Sequence, residues 1–393
     1  MSRSIITGID VGTYCVKVIV ADAREKTEKG FPRIIAVGTA ETRGVRHGYV
    51  TNLRDVTESI QQAITEAEQK SGIKIKKAFL GIGGIGLEST VVTSTLITSR
   101  ADAEITDLDV KKLNEQCEKD IPQSIIANRR IIYNIPLLYK IDGVPSLGTP
   151  IGMAGNKLEL KTLFITCLDH HVADLIQAVN EAGVKVEDIM ASPVAAGFVT
   201  LSKTQKIAGC VLANIGSETV SIVVFENNIP VSLEVFPIGS TDITNDIALG
   251  LRVPLEEAEQ IKIGAITGSS YPRKKLEEIV AARLSDIFEL IEAHLKKIGR
   301  NGLLPAGIVI TGGGSGLTSI EAMAKISLKL PARIGSIGVT NGGSSFKDAT
   351  WAVAYGLCIW GAHADEGPEI DTSVRFMKNS FRAARRWISR FLP

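Results

Sequence analysis

Alternating apolar and polar positions predict a strand-rich opening that is followed by a helix. Four short apolar runs are typical of strands, at residues 4–8, 16–21, 33–38 and 77–81. Between Asp55 and Lys70 the apolar residues instead recur at helical spacing, which predicts an amphipathic helix. The link between the first two strands, residues 10–13, is short enough to be a β-hairpin turn.

The same order of elements recurs roughly 200 residues later along the chain. Strands are predicted at residues 208–213, 220–226 and 231–237, and a helix follows near residues 242–251. Such an internal repeat implies two similar α/β halves that face one another. Because ligands of open α/β sheets bind at the strand ends, the expected binding site lies between the halves.

Two insertions interrupt this repeat. Residues 87–161 alternate short strands with one helix, whose start at Thr106 and Asp107 combines a hydroxyl cap with an early acid. The second insertion, residues 254–300, is helical and rich in Glu and Lys. The predicted organisation is a first half at 1–86 and 162–205, an inserted subdomain at 87–161, a second half at 206–253 and 301–362, a helical insertion at 254–300, a linker at 363–374 and a terminal helix at 375–393.

Composition describes an ordinary globular protein, with 45% hydrophobic and 22% charged residues in a chain of 393. Its five scattered cysteines contain no CxxC pair, which favours a reducing compartment and predicts neither a disulfide framework nor a zinc site. The chain shows neither a signal-peptide pattern at its start nor an apolar run long enough to span a bilayer. We therefore expect a cytoplasmic body.

The overall charge of +1 hides a strong asymmetry. From Arg375 to Pro393 there are six basic residues and no acidic one, and the remaining 38 Lys and Arg face 43 Asp and Glu, a net charge of −5. A mildly acidic body with a basic end is typical of a protein whose tail binds an anionic surface.

The tail is also amphipathic when it is drawn as a helix. Its apolar residues fall within an arc of roughly 160°, and the basic residues occupy the rest. Such a helix lies in the headgroup plane of a membrane, where each basic residue adds on the order of 1 kcal/mol near anionic lipid. Docking on the protein's own surface or in a calmodulin-like groove is the alternative. The candidate membrane-binding residues are Phe376, Met377, Lys378, Phe381, Arg382, Arg385, Arg386, Trp387, Ile388, Arg390, Phe391 and Leu392.

Two motifs suggest a phosphate ligand. In the first hairpin Gly12 permits close backbone approach, Thr13 offers a hydroxyl and an amide, and Lys17 adds a cation. Asp10 could orient water or hold Mg²⁺ there, although a simple turn is the alternative. Further on, the strand-like residues 307–311 run into three glycines ahead of a helix predicted at 317–328, which is typical of a nucleotide platform.

Together with the duplicated halves, these motifs resemble the actin/Hsp70/sugar-kinase superfamily, and the chain resembles the bacterial cell-division protein FtsA family along nearly its whole length. The resemblance implies an α/β, actin-like (ribonuclease H-like) fold with duplicated halves, inserted subdomains and a C-terminal amphipathic helix. The stretches that carry it are residues 43–48, 121–122, 150–158, 244–248 and 257–262.

The resemblance implies a function as well. ATP, with Mg²⁺, would bind between the halves, with its phosphates on Asp10, Gly12, Thr13 and Lys17. The adenosine would lie against Glu259 and Lys262, which could otherwise form a plain helical ion pair, and against a glycine loop. That loop is Gly312, Gly313 and Gly314.

The expected cellular role is that of a tether between FtsZ filaments and the membrane. The implied partners are FtsZ, a second copy of the chain, anionic membrane lipid and other division proteins, and no nucleic acid. The site of action would be the cytoplasmic face of the cell membrane at the division site. The helical insertion, which includes Arg273, Lys274 and Lys275, would meet the acidic tail of FtsZ.

The second hairpin departs from the family's pattern. Asn214 stands where the family has an acid, and Ser217 and Glu218 replace glycines, while Gly216 and Thr219 remain. The resemblance still implies that Asn214, Gly216 and Thr219 bind the nucleotide. Asparagine lacks the charge that favours Mg²⁺ or a polarised water, and Glu218 would repel phosphate unless it pointed away. We therefore expect weakened binding and at most a weak ATPase, with no catalytic residue assigned.

Other patterns favour simpler interpretations. Residues 81–86 match GxGxxG, but a strand-like segment follows, so a dinucleotide site is not expected. Cys167, Asp169, His170 and His171 resemble metal ligands, yet adjacent histidines point to different faces of a helix, and no metal site is predicted. The alternative functions are an ATP-dependent kinase of the same superfamily, which Asn214 disfavours, and a pilus-platform protein similar to PilM.

Overall fold

The computed structural model describes residues 4–98, 103–265, 271–341, 344–346 and 348–365. The candidate membrane-binding helix at 375–393 lies outside these residues, as does most of the predicted linker. The chain forms two compact units, one from residues 4–87 with 171–365 and one from residues 88–170. Within the described residues, no helix has both the length and the apolar character needed to cross a membrane.

The larger unit opens with a hairpin, a third strand and a helix, as predicted. Its first elements are β1 (Ile5–Val11), β2 (Cys15–Lys26), β3 (Pro32–Glu41), β4 (Val45–Arg46), β5 (Tyr49–Val50), α1 (Leu53–Ser71) and β6 (Lys77–Ile82). Asn52 caps α1 by accepting the amides of Arg54 and Asp55, and the left-handed Gly72 ends it. Apolar side chains of α1, among them Ile60 and Ile64, are buried.

The smaller unit is an antiparallel sheet with helices. It contains β7 (Glu88–Ile97), α2 (Asp107–Lys119), α3 (Gln123–Ile126), β8 (Arg129–Ile141), β9 (Val144–Ser146) and β10 (Lys157–Leu168), with strand order β7-β10-β8-β9. Thr106 and Asp109 form a capping box, which confirms the predicted helix start. The core of this unit includes Leu113, Leu160 and Phe164.

Three helices and one strand lead from the smaller unit to the second half. They are α4 (Asp169–Glu181), β11 (Lys185–Ala191), α5 (Ser192–Thr200) and α6 (Lys203–Ala208). With β11 in place the first sheet has the order β11-β6-β1-β2-β3. A strand was expected to start at residue 208, but α6 extends to Ala208, where Gly209 with a φ of 101° ends it, and the strand begins at Cys210.

The second half repeats the architecture of the first. Its elements are β12 (Cys210–Ile215), β13 (Val220–Glu226), β14 (Ile229–Phe236), α7 (Ser240–Leu251), α8 (Leu255–Lys262), α9 (Arg273–Lys297), β15 (Ile308–Thr311), α10 (Ile320–Leu328) and β16 (Ala332–Ile334). The sheet order is β14-β13-β12-β15-β16, so an antiparallel hairpin with a third strand pairs with two parallel strands in both sheets. The predicted duplication is confirmed.

The closing elements return the chain to the first half. They are β17 (Val339–Asn341), β18 (Ser344–Phe346) and α11 (Ala352–Asp365). Helix α11 packs closely on the first sheet, since a Cβ on Gly8 would lie 2.2 Å from the carbonyl oxygen of Ala354. It also packs on α5, where a Cβ on Gly356 would lie 1.9 Å from the oxygen of Ala195.

Candidate functional site

The first hairpin places an acid and a lysine side by side. Asp10 on β1 is the cross-strand partner of Lys17 on β2. Burial raises the pKa of Asp10 to about 6, and the nearby charge of Lys17 only partly offsets this. A further positive charge close to this carboxylate would favour its ionised form.

Replacing Asp10 by asparagine is expected to stabilise the protein at neutral pH. Because the folded pKa is raised above 3.8, the folded state binds more protons than the unfolded state between the two values, so stability falls as the pH rises through that window. Urea unfolding should show Asp10→Asn more stable than the wild type by about 2 kcal/mol at pH 7, and by less than half of that near pH 4.5. An equal difference in stability between the variant and the wild type at both pH values would contradict the raised pKa of Asp10.

The turn of this hairpin is formed by Gly12, Thr13 and Tyr14. A Cβ on Gly12 would lie 3.0 Å from the carbonyl oxygen of Cys15, so the turn leaves little room for a side chain there. The carbonyl of Tyr14 accepts the amide of Thr42 at 3.0 Å, which ties the turn to the end of β3. Gly12, Thr13, Asp10 and Lys17 thus form one compact group at the end of the β1–β2 hairpin.

The second hairpin is docked on the start of α7. Gly216 donates its amide to the oxygen of Thr219 at 2.8 Å, which closes the turn between β12 and β13. The carbonyls of Gly216 and Ser217 accept the amides of Ser240 at 2.9 Å and of Thr241 at 2.8 Å. These two amides at the helix start therefore bind the hairpin itself.

The glycine loop packs against the strand that leads into the second hairpin. Gly312 has a φ of 88°, and a Cβ there would lie 2.3 Å from Oδ1 of Asn214. A Cβ on Gly314 would lie 2.5 Å from the side chain of Ile215, whereas one on Gly313 would meet no atom within 4 Å. Gly312 and Gly314 are thus needed for packing, and Gly313 is the member that faces open space.

The helix predicted at 317–328 is shorter than expected. A 3-10 turn occupies Gly313–Gly316, Leu317 is extended, and α10 begins only at Ile320. The hydroxyl of Ser315 donates to the carbonyl of Gly312 at 2.7 Å, which stabilises the tight turn in place of an α-helical start.

Glu259 and Lys262 form an ion pair of 2.7 Å on α8, and the pair is built into the fold. The ammonium of Lys262 also donates to Thr244 Oγ1 at 2.8 Å and to the carbonyl of Ser240 at 3.1 Å. Thr244 donates in turn to Glu259 at 2.6 Å. Lys262 is 8% exposed and Glu259 38%, so this is a network between α8 and α7 with one accessible carboxylate and not an exposed helical pair.

Through Ser240 this network reaches the second hairpin. The amide of Ser240 binds Gly216, and its carbonyl binds Lys262. Direct contacts within the second half therefore link six of the predicted nucleotide-binding residues, which are Asn214, Gly216, Gly312, Gly314, Glu259 and Lys262. Asp10, Gly12, Thr13 and Lys17 form a separate group on the first half.

Glu218, the unexpected acid of the second hairpin, points at the first half. Its Oε2 accepts the amide of His47 at 2.6 Å, and its Oε1 lies 2.9 Å from Nε of Arg46. The sequence alone left open whether this carboxylate would oppose a phosphate, because its partners lie more than 170 positions away.

A buried Ser–His–Glu set is another contact that sequence reasoning missed. Nε2 of His294 lies 2.8 Å from the hydroxyl of Ser232, and Nδ1 lies 3.4 Å from Glu234. The hydrogen bond from His294 lowers the pKa of Glu234. Ser232 and His294 are each 6% exposed, which leaves no room for a substrate, so the set serves to anchor α9 on β14.

The glycines at 81–86 have a packing role. A Cβ on Gly48 would lie 2.3 Å from Cα of Gly84, so the two backbones touch. Strand β7 follows this loop, which confirms that it lacks the helix of a dinucleotide site. His171 donates from Nε2 to the carbonyl of Gly83 at 2.9 Å, and the described residues contain no group of three or more potential metal ligands.

Comparison with known proteins gives a consistent result. The model of the family "Cell division protein FtsA" matches residues 211–356, and that of "SHS2 domain inserted in FTSA" matches residues 86–166. The curated cell division protein FtsA of Pseudomonas aeruginosa is 32% identical over 355 residues, which cover 85% of this chain and 83% of that protein.

Solved structures share the fold at low sequence identity. The PilM–PilN type IV pilus biogenesis complex matches with a TM-score of 0.66 and 16% identity, over 92% of this chain and 99% of that chain. MreB5 of Spiroplasma citri bound to ADP matches with a TM-score of 0.50 and 11% identity, over 91% and 95%. These similarities confirm the actin-like α/β fold and, at such identities, show the fold alone.

Proposed function

Because the chain belongs to the FtsA family of cell division proteins, we propose that it is an ATP-binding adaptor which tethers FtsZ filaments to the inner face of the cytoplasmic membrane. The observation that carries the proposal is the 32% identity to a curated FtsA over most of both chains. Self-association into filaments and contacts with other division proteins at the division site belong to the same proposal. The kinase alternative has no comparable support.

ATP is the proposed ligand of the two hairpins and the glycine loop. The actin-like neighbour MreB5 holds ADP, which supports a nucleotide in this fold. Asn214 supplies no negative charge to a metal or to an attacking water, and Glu218 is occupied by Arg46 and His47. We therefore propose nucleotide binding with slow hydrolysis at most, and Mg²⁺ only as the companion of ATP.

Membrane attachment is assigned to the basic amphipathic tail. It rests on the sequence pattern, in which aromatic and aliphatic residues share one helical face and six basic residues the other. A single helix of this kind anchors weakly, so filaments that present many tails would hold the membrane by avidity.

The proposed contact with FtsZ lies on the packed helices α7, α8 and α9. Arg273, Lys274 and Lys275 start α9 and are exposed, and the first two are only loosely paired with acids one turn away, at 3.3 and 3.9 Å. Leu249 on α7 and Leu255 on α8 are exposed apolar side chains that an acidic peptide with apolar residues could also contact.

Charge reversal at the start of α9 tests this contact. The triple variant Arg273→Glu, Lys274→Glu and Lys275→Glu is expected to bind a C-terminal FtsZ peptide at least about tenfold more weakly, because attraction becomes repulsion. The matched control is Lys296→Glu with Lys297→Glu at the other end of the same helix, where both side chains are also exposed. Fluorescence anisotropy gives both affinities. Equal affinity in the triple variant and the wild type would remove this surface from the proposal.

A further inference from the structure

The second hairpin carries an acid that reaches across to the first half. Glu218 is 9% exposed, and its carboxylate holds the amide of His47 at 2.6 Å and the guanidinium of Arg46 at 2.9 Å. The backbone oxygen of Glu218 adds a third contact, 3.2 Å from Nδ1 of His47. All three join the β12–β13 turn to the β4–β5 hairpin. We propose that Glu218 is a clasp that holds the two halves together.

The contact with the His47 amide is the stronger part of this clasp. A hydrogen bond to an ionised acceptor is about twice as strong as a neutral one, and a carboxylate with little exposure loses most of its water. Arg46 is 70% exposed, so its ion pair is screened by solvent and contributes less.

On the first half, the clasp contacts His47, whose backbone is held in place by other contacts. His47 adopts the left-handed region, with a φ of 48°, which is uncommon for a residue other than glycine. Its carbonyl accepts the amide of Ile85 at 3.2 Å, and the next residue, Gly48, touches the backbone of Gly84. The peptide groups of His47 are therefore fixed between the second half on one side and the 83–86 loop on the other.

On the second half, Glu218 is equally well held. The carbonyl of Ser217, one residue before, binds the amide of Thr241. A Cβ on Gly239 would lie 2.7 Å from the amide nitrogen of Glu218, so the turn rests directly on the chain ahead of α7. Other contacts hold both His47 and Glu218 in place within their own halves. Breaking the clasp therefore allows the two halves to separate and does not merely loosen a loop.

The clasp has a consequence for ligand exchange. A nucleotide that enters or leaves between the halves has to wait for the clasp to open, so both its association and its dissociation are slowed. This consequence rests on the proposed ATP site, whereas the clasp itself is formed only by residues of the chain. The test therefore has one measurement for each.

Hydrogen exchange of the full chain without nucleotide tests the clasp. Glu218→Ala, which removes the carboxylate, is expected to speed exchange of the amides at residues 44–50 roughly ten- to hundredfold. The isosteric Glu218→Gln should fall between Glu218→Ala and the wild type, and Arg46→Ala should change exchange least. If Glu218→Ala failed to fold, Glu218→Gln would still give the answer.

Glu226→Gln is the matched control. Glu226 lies on the same strand, β13, and is paired with Arg300 inside the second half, Oε2 to Nη2 at 3.1 Å. Its loss should leave exchange at residues 44–50 unchanged. Unchanged exchange there in folded Glu218→Ala, or equal acceleration in Glu226→Gln, would overturn the clasp.

Stopped-flow mixing with a fluorescent ATP analogue then tests the consequence. Glu218→Gln is expected to raise both the association and the dissociation rate severalfold. Absence of any ATP binding, combined with the expected exchange pattern, would contradict the proposed function and leave the clasp standing. Normal binding with wild-type rates in a variant whose exchange is accelerated would overturn the slowing of ligand exchange.

Discussion

Gly312→Ala is expected to destabilise the protein by roughly 2–4 kcal/mol and to weaken ATP binding more than tenfold. The backbone at Gly312 has a φ of 88° and a ψ of 177°, a conformation that is essentially confined to glycine. An added Cβ would also lie 2.3 Å from Oδ1 of Asn214 and 2.5 Å from the carbonyl oxygen of Ile215. Relief of this clash requires the glycine loop to move away from the second hairpin.

The neighbouring glycines provide graded controls for this substitution. Gly313→Ala should leave stability within about 0.5 kcal/mol of the wild type, because its Cβ meets no atom within 4 Å. Gly314→Ala should fall between the two, since the closest atom to its Cβ is a side-chain methyl group of Ile215 at 2.5 Å and no positive φ is lost. Urea unfolding measures stability, and titration with a fluorescent nucleotide measures affinity. Equal losses in Gly312→Ala and Gly313→Ala would contradict the packing role given to the loop.

Local features of the fold could be predicted from the sequence because their determinants lie close together in the chain. The β1–β2 and β12–β13 hairpins follow from apolar runs around short polar turns, and both sheets have them in the predicted order. The start of α2 follows from the hydroxyl of Thr106. The repeat itself was visible because each half has the same order of elements.

Features that depend on long-range contacts could not be predicted in this way. Glu218 was recognised as a departure from the pattern, but its partner His47 lies 171 residues away, and no local spacing indicates that pair. Ser232 and His294 lie 62 residues apart in the chain, and their contact could not be predicted for the same reason. The glycine loop was predicted, but neither its 3-10 turn at Gly313–Gly316 nor the late start of α10 at Ile320 was, because a run of glycines does not reveal which of them adopts a positive φ.

The sequence predicted which residues belong to the candidate site better than it predicted the contacts between them. Lys262 and Glu259 had the spacing of a helical pair, yet the structure ties them to Thr244 and Ser240. Through these contacts α8 is joined to the second hairpin. A change at one of these positions is therefore expected to move the others, since residues in one network do not act independently.

Removal of the tail is expected to have the largest effect on function. A chain that ends at Thr372 lacks the six basic residues and all the apolar residues of the helix that the sequence predicts at 375–393. With on the order of 1 kcal/mol for each basic residue near an anionic surface, in addition to the buried apolar area, the affinity for anionic vesicles should fall more than a hundredfold. The proposed contacts with nucleotide and FtsZ should be unaffected, because they are proposed for other parts of the chain.

Substitutions on one face of the predicted tail helix at a time separate the apolar from the electrostatic contribution to membrane binding. Trp387→Ala with Phe391→Ala removes apolar area and should weaken binding to every vesicle type. Arg385→Gln with Arg386→Gln should weaken binding only to anionic vesicles. High salt should weaken the binding of the wild type to anionic vesicles in the same way, because it screens the charges. Equal effects of both pairs on neutral vesicles would contradict the amphipathic orientation.

Recruitment of FtsZ to vesicles tests the tether most directly. Fluorescent FtsZ is mixed with anionic vesicles and ATP, together with either the full chain or the chain that ends at Thr372, and the vesicles are sedimented. If the chain tethers FtsZ through its tail, FtsZ sediments with the vesicles when the full chain is present and stays in solution with the truncated one. Equal recruitment of FtsZ by both chains would contradict the tether.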